Sequence, residues 1–331
     1  MNEKSLVVLE DYDIRVKNYR RVRGFYHCET DKGMYLLKEY TNSKGRLELL
    51  EKIQKYIEDK GHRTDLVVRN NNNELMTQGP DGGFYILKRW YEHRECEVEQ
   101  IEDLCKGVGE LAAIHSDCSR LEEIIPQEMI FQQGADVEQL MHRHSKELLM
   151  TSRYIDRAKN KRAFEYELKA GIDEYYEQAV AAEKYLDKLD YGKLFARAGA
   201  SKMLCHGNVR PHNILMTKTD AVIVNYIRAV CDIQIVDFYK LFKKVMEKNG
   251  WNLDTARKLV KAYDENREVS REEWELFVAL LIYPERFWKV ANNYINSGKA
   301  WLSEKNKEKL KMFIEQEPKR RLVVSEFVNN W

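Results

Sequence analysis

A chain of 331 residues, 44% apolar and 33% charged, carries enough material for a large core and is long enough for two lobes. Its 55 basic and 54 acidic residues leave a net charge of +1, which gives no electrostatic footprint for nucleic acid or for an anionic membrane surface. The apolar run Leu276 to Tyr283 stops at Pro284, well short of the ~20 residues that span a bilayer. The charged N-terminus has no apolar signal segment, so synthesis in the cytosol is expected. Six scattered cysteines, Cys28, Cys96, Cys105, Cys118, Cys205 and Cys231, show no C-x-x-C pair and no zinc spacing, and read as reduced thiols packed inside.

In chain order, Gly24 to Thr30 and Met34 to Tyr40 are β-rich runs joined by Asp31-Lys32-Gly33, which has hairpin-turn chemistry. Leu47, Leu50, Ile53 and Ile57 form a helical stripe with Ser43 as its cap and Gly61 at its close. Leu66-Val67-Val68, Glu74-Leu75-Met76 and Phe84-Tyr85-Ile86-Leu87 complete an expected five-stranded antiparallel sheet. After a connector at Trp90 to Glu92 the pattern turns helical. Ile101, Leu104, Val108, Leu111 and Ile114 mark one helix; Phe164 to Tyr191, Phe238 to Lys248, Leu253 to Tyr263 and Glu272 to Asn296 mark others. A hairpin, Ile214-Leu215-Met216 and Val222-Ile223-Val224, is embedded among them. The expectation is an α+β chain with a small β-rich lobe over residues 1–92 and a larger helical lobe over 93–331. Trp274, Phe277, Tyr283, Phe287, Trp288, Tyr294 and Trp301 are expected in the core of the helical lobe.

The informative stretch is Leu204-Cys205-His206-Gly207-Asn208-Val209-Arg210-Pro211-His212-Asn213-Ile214-Leu215, followed by Val222-Ile223-Val224-Asn225-Tyr226. It resembles the catalytic loop, H-G-D-x-x-x-x-N, and the metal-binding strand, ending I-D-F, of the aminoglycoside- and choline-kinase-like superfamily. Within that superfamily the chain is most similar to the CotS-type spore coat proteins. The resemblance spans nearly the whole chain and is strongest in Asp237 to Gly250 and Tyr283 to Trp288. It implies the two-lobed protein-kinase-like fold and assigns roles. His206 supports the loop and Asn213 is its closing asparagine. Lys38 is the lysine that holds nucleotide phosphates, with Glu48 or Glu51 as its ion-pair partner, and Asp232 and Asp237 are later acidic positions of the family. It further implies a place in the spore coat among other coat proteins.

Two departures run in one direction. Asn208 stands where the family carries the aspartate that takes the substrate proton, and an amide is no general base near neutral pH. Asn225, 17 residues on, stands where the metal-binding aspartate is expected, and an amide brings no charge to Mg²⁺. Tyr19 to Phe25 also holds one glycine and three arginines where a glycine-rich phosphate loop would lie. The sequence therefore points to a pseudokinase with a structural or scaffolding role in the coat. No cofactor is required, Mg²⁺ would bind poorly, and no small-molecule substrate is expected. Two alternatives stay open: a pseudokinase that still binds ATP at Lys38, and a small-molecule phosphotransferase that has recruited Asp220 or Asp232.

Overall fold

The computed structural model describes residues 3–22, 24–296 and 304–329, which form two compact units. Of these residues, the first unit takes those within 1–132, 200–231 and 265–267, and the second those within 133–199, 232–264 and 268–331. The chain beyond residue 92 is therefore shared between them: the loop of the resemblance and its hairpin fold with the N-terminal sheet in the first unit.

That sheet has six strands rather than five: β1 (Val16–Val22), β2 (Phe25–Thr30), β3 (Gly33–Glu39), β4 (Val67–Val68), β5 (Thr77–Gln78) and β6 (Phe84–Trp90). They lie antiparallel in the order β1-β2-β3-β6-β4, with β5 also on β6. The additional strand is β1, whose Lys-Asn-Tyr-Arg-Arg centre is exposed on both faces and so has no apolar alternation to read. A charged, exposed edge strand of this kind discourages pairing with a second sheet. Pleating separates the two faces. One buries Tyr26, Cys28, Leu37, Tyr85 and Leu87 against Val8, Leu9 and Tyr12 of the N-terminal segment. On the other, Arg20, His27, Leu36 and Lys88 stand in register across four strands.

Between β3 and β4 runs α1 (Lys44–Asp59), with the Ser43 side chain accepting from the Arg46 N–H at 3.3 Å as its cap. Its stripe Leu47, Leu50, Ile53 and Ile57 is buried. The unit continues through β7 (Arg94–Glu95), α2 (Ile101–Asp117), β8 (Leu204–Cys205), the hairpin β9 (Ile214–Met216) and β10 (Ala221–Ile223), and β11 (Val230–Cys231). A Cβ at Gly107 of α2 would lie 2.9 Å from the Ile214 side chain, so only glycine lets this helix approach β9 so closely.

The second unit is helical: α3 (Val137–Asp156), α4 (Ala163–Leu186), α5 (Tyr191–Ala200), α6 (Gln234–Lys248), α7 (Leu253–Asp264), α8 (Arg271–Ile282), α9 (Glu285–Asn296) and α10 (Glu304–Asn329). The single helix expected over 272–296 is broken at Tyr283-Pro284, because proline removes a backbone donor and drives its predecessor to extended geometry. The stretch 164–191 likewise ends earlier, with α5 starting separately at Tyr191. Trp274, Phe277, Tyr283, Phe287 and Tyr294 are buried and Trp288 is partly so; Trp301 lies outside the described residues.

Candidate functional site

The loop before β9 is organised by His206. Its Nε2 lies 2.9 Å from the Val224 carbonyl oxygen, which can only accept, so Nε2 carries the proton. Nδ1 then accepts the Asn208 backbone N–H at 3.2 Å. Both ring nitrogens are committed and the imidazole is held neutral, with 1% of the residue exposed. The chain turns at Gly207, φ +74°, where a Cβ would lie 2.1 Å from the Arg228 carbonyl oxygen. Asn213 closes the loop: its Nδ2 donates to the Asn208 carbonyl at 2.9 Å and its N–H to the Arg210 carbonyl at 2.8 Å. Arg210 itself is exposed.

Asn225 follows β10 in the left-handed conformation, φ 75° and ψ 48°, which asparagine adopts more readily than most residues. Its Nδ2 donates to Asn213 Oδ1 at 3.4 Å, and its backbone N–H donates to Asp65 Oδ1 at 3.0 Å. The structure thus brings His206, Asn208, Asn213 and Asn225 into one hydrogen-bonded cluster. On the other side of Asn225, Arg46 of α1 donates to the Ile227 carbonyl at 3.0 Å and also to that of Ala229.

Asp65 had no role in the sequence reading and is the centre of the site. Its Oδ2 accepts from Lys88 Nζ at 2.6 Å, and its Oδ1 accepts from Gln54 Nε2 at 3.0 Å as well as from Asn225. Asp65 and Lys88 are 1% and 3% exposed, so this is a buried ion pair with its lone pairs filled by neutral donors. The sequence signal for it was slight, a lysine directly after the apolar run Phe84-Tyr85-Ile86-Leu87.

Lys38 lies on β3, half-buried, with Nζ 5.4 Å from the centre of the Phe25 ring. Burial first, and then the charge of Lys88, lower its pKa, while Asp65 acts in the opposite direction. The ion pair expected with Glu48 or Glu51 is not formed among the described residues. Glu51 accepts from Arg69 at 2.7 and 2.6 Å and from Lys55 at 2.8 Å, and the charge of Glu48 also acts on Arg69. The bidentate Arg69 guanidinium, not Lys38, is the partner of Glu51. Asp220 is exposed in the β9–β10 turn and paired with Arg63. Asp232 and Asp237 lie at the start of α6 in the second unit, and burial raises the Asp232 carboxyl to about 6.

Lys38, Asp65, Lys88, Asn213 and Asn225 line a cavity of about 430 Å³, whose walls all belong to the first unit. Lys38, Lys88, His27 and Trp90 line it from the sheet, Asp65 from the segment before β4, and Asn213, Leu215, Val224 and Asn225 from the loop and hairpin. Among the described residues no helix is long and apolar enough to cross a membrane.

Among solved structures, an aminoglycoside phosphotransferase from Alicyclobacillus acidocaldarius is similar at TM-score 0.83 and 18% identity, over 97% of this chain and 94% of that one. A spectinomycin phosphotransferase in an AMP-bound complex gives 0.63 and 14%, over 98% and 97% of the two chains. A choline kinase from Cryptosporidium parvum Iowa II gives 0.53 and 10%, over 98% and 97%. These likenesses establish the kinase-like fold. No curated protein is significantly similar to the chain. The family model described as "Spore coat putative kinase YutH" matches residues 5–327, and with nearly the whole sequence inside that match, the chain belongs to this spore coat family of kinase-like proteins.

Proposed function

We propose that this protein is a catalytically silent kinase-fold component of the spore coat that serves as a scaffold for other coat proteins. The observation that carries the reading is the state of the carboxylates around the loop. The base position holds Asn208 and the metal position Asn225, and the one buried carboxylate beside them, Asp65, is already neutralised by Lys88. Mg²⁺ seeks anionic oxygens in near-ideal octahedral geometry. Two amides and a carboxylate whose oxygens accept from an ammonium, an amide and a backbone N–H do not fit it. Phosphoryl transfer depends on positioning and charge neutralisation, and with Asn208 and Asn225 in place of carboxylates the cleft lacks the base and the metal anchor that serve them. Family membership supports the coat assignment.

The test is complementation in the spore-forming cell from which the gene is deleted. If the fold serves the coat through its surface, Asn208→Ala and Lys38→Met variants that accumulate normally restore coat structure as well as the parent. If they accumulate but fail to restore it while the parent succeeds, the role depends on the cleft.

A further inference from the structure

Two surfaces of the first unit complement each other in charge and shape. The edge strand β1 holds Lys17, Tyr19 and Arg21 exposed, with Tyr19 44% accessible and its ring set edge-on to Tyr26 at 5.9 Å. Neither cation makes an ion pair among the described residues; of the carboxylates near the start of the strand, Asp13 pairs with Lys32 and Asp31 accepts the Arg15 N–H. Nor does any segment besides β2 bond to the backbone of this strand among the described residues. At the far edge of the sheet, the N-terminal segment and the turn after β5 enclose an open groove of about 330 Å³. Val7, Val8, Gln78 and Pro80 line it, together with Glu10 and Asp11. Val7 is 52% exposed, and neither carboxylate has an ion pair among the described residues.

An exposed valine and proline beside two uncompensated carboxylates suit an aromatic ring flanked by cations, and Tyr19 between Lys17 and Arg21 is that arrangement. Strands β2, β3 and β6 separate the two surfaces, so a molecule cannot seat its own Tyr19 in its own groove, whereas a second copy can. Two β1 edges brought together would instead set Lys17 and Arg21 against their own kind, which selects against that pairing. We propose that copies of this chain associate head to tail, with Tyr19 of one copy seated in the Val7–Pro80 groove of the next and Lys17 and Arg21 paired with Glu10 and Asp11. The contact is heterologous, so each end keeps one free surface and the assembly can grow. Its use in the coat rests on the scaffold reading, while the association itself is a property of the purified chain. Exposed ion pairs are individually weak and screened by salt, so the contact forms at high protein concentration and low ionic strength.

The experiment is sedimentation velocity of the purified protein over a wide range of concentration at low salt, repeated at ~1 M salt, where the screening length falls to ~3 Å. The average mass rises with concentration past that of a dimer, and salt lowers it. Three variants, Tyr19→Ser, Lys17→Glu with Arg21→Glu, and Glu10→Lys with Asp11→Lys, each raise the concentration needed for association about tenfold while keeping the parent circular dichroism. Mixed in equal amounts, the two charge-reversed variants assemble again, because every contact between them sets acid against base. A monomer at every concentration overturns the proposal, as does a dimer that grows no further. Association that survives the charge reversals also overturns it, and so does a mixture that fails to assemble. ADP release is measured separately, so failure of this contact leaves the silent-scaffold reading to be decided by that assay.

Discussion

Lys88 Nζ lies 2.6 Å from Asp65 Oδ2, with both side chains almost fully buried beneath the N-terminal sheet. Lys88 reaches this point because β6 pairs with β3 in a register that sets it opposite Leu36, on the cavity face. Asp65 then hands the constraint on, through Oδ1, to Gln54 of α1 and to the Asn225 backbone. One ion pair thereby ties the sheet, the helix and the turn at Asn225 together.

Removing one member of a buried pair leaves an uncompensated charge, which costs roughly 3–5 kcal/mol. Lys88→Met should lower the denaturant-unfolding free energy by about that much. Adding Asp65→Asn keeps an acceptor oxygen for Gln54 and Asn225 but removes the stranded charge. The double variant should therefore be more stable than Lys88→Met alone, and a double-mutant cycle measures the difference.

Gly207→Ala should be among the most damaging single changes in the loop. The new methyl would overlap the Arg228 carbonyl at a backbone angle that L-residues seldom adopt. We expect a loss of roughly 2–4 kcal/mol, read as a lower melting temperature or as failure to accumulate soluble protein. A control at Gly192, with open space around its Cβ, should cost far less.

Asn225→Asp places a carboxylate where the amide donates to Asn213 Oδ1 and beside the Asp65 carboxylate. Donation is lost and like charges are brought close, so the variant should be less stable than the parent by about 1–3 kcal/mol in EDTA. Calorimetric unfolding checks this. Mg²⁺ should not restore the parent melting temperature, because Asp65 remains engaged by Lys88.

His62 offers a pH test in the first unit. Its Nδ1 and Nε2 each lie 3.0 Å from a carboxylate of α2, Glu110 and Asp117. The Glu110 bond first, and the Asp117 bond after the opposing effect of burial, raise its pKa above the ordinary 6.5. A raised folded-state pKa contributes stability that is fully present below about pH 6.5 and is lost as pH rises through the folded value. The stability difference between the parent and His62→Gln should therefore shrink from pH 6 to pH 9. A constant difference would show that the imidazolium is not what the carboxylates hold.

What could be read in advance follows from how local each feature is. His206, Gly207, Asn208 and Asn213 lie within eight consecutive residues, so their types and spacing announce the loop before any folding is known. The α1 stripe was legible for the same reason: its period is written in adjacent turns. Asp65 and Lys88 are 23 residues apart and meet only through strand register, which no local pattern encodes. The choice of Arg69 rather than Lys38 as partner for Glu51 is likewise a tertiary outcome. By contrast, the break between α8 and α9 was legible, since Pro284 stood in the sequence as a helix breaker within the stretch read as one helix.

Catalytic silence is measured by ADP formation from ATP with Mg²⁺. The purified protein should release ADP no faster than a heat-inactivated control, with or without hydroxylated acceptors such as aminoglycosides and choline. Mg²⁺-dependent ADP release that disappears in Lys38→Met would show that the cleft transfers phosphate despite its two asparagines, and that the protein is not a silent scaffold.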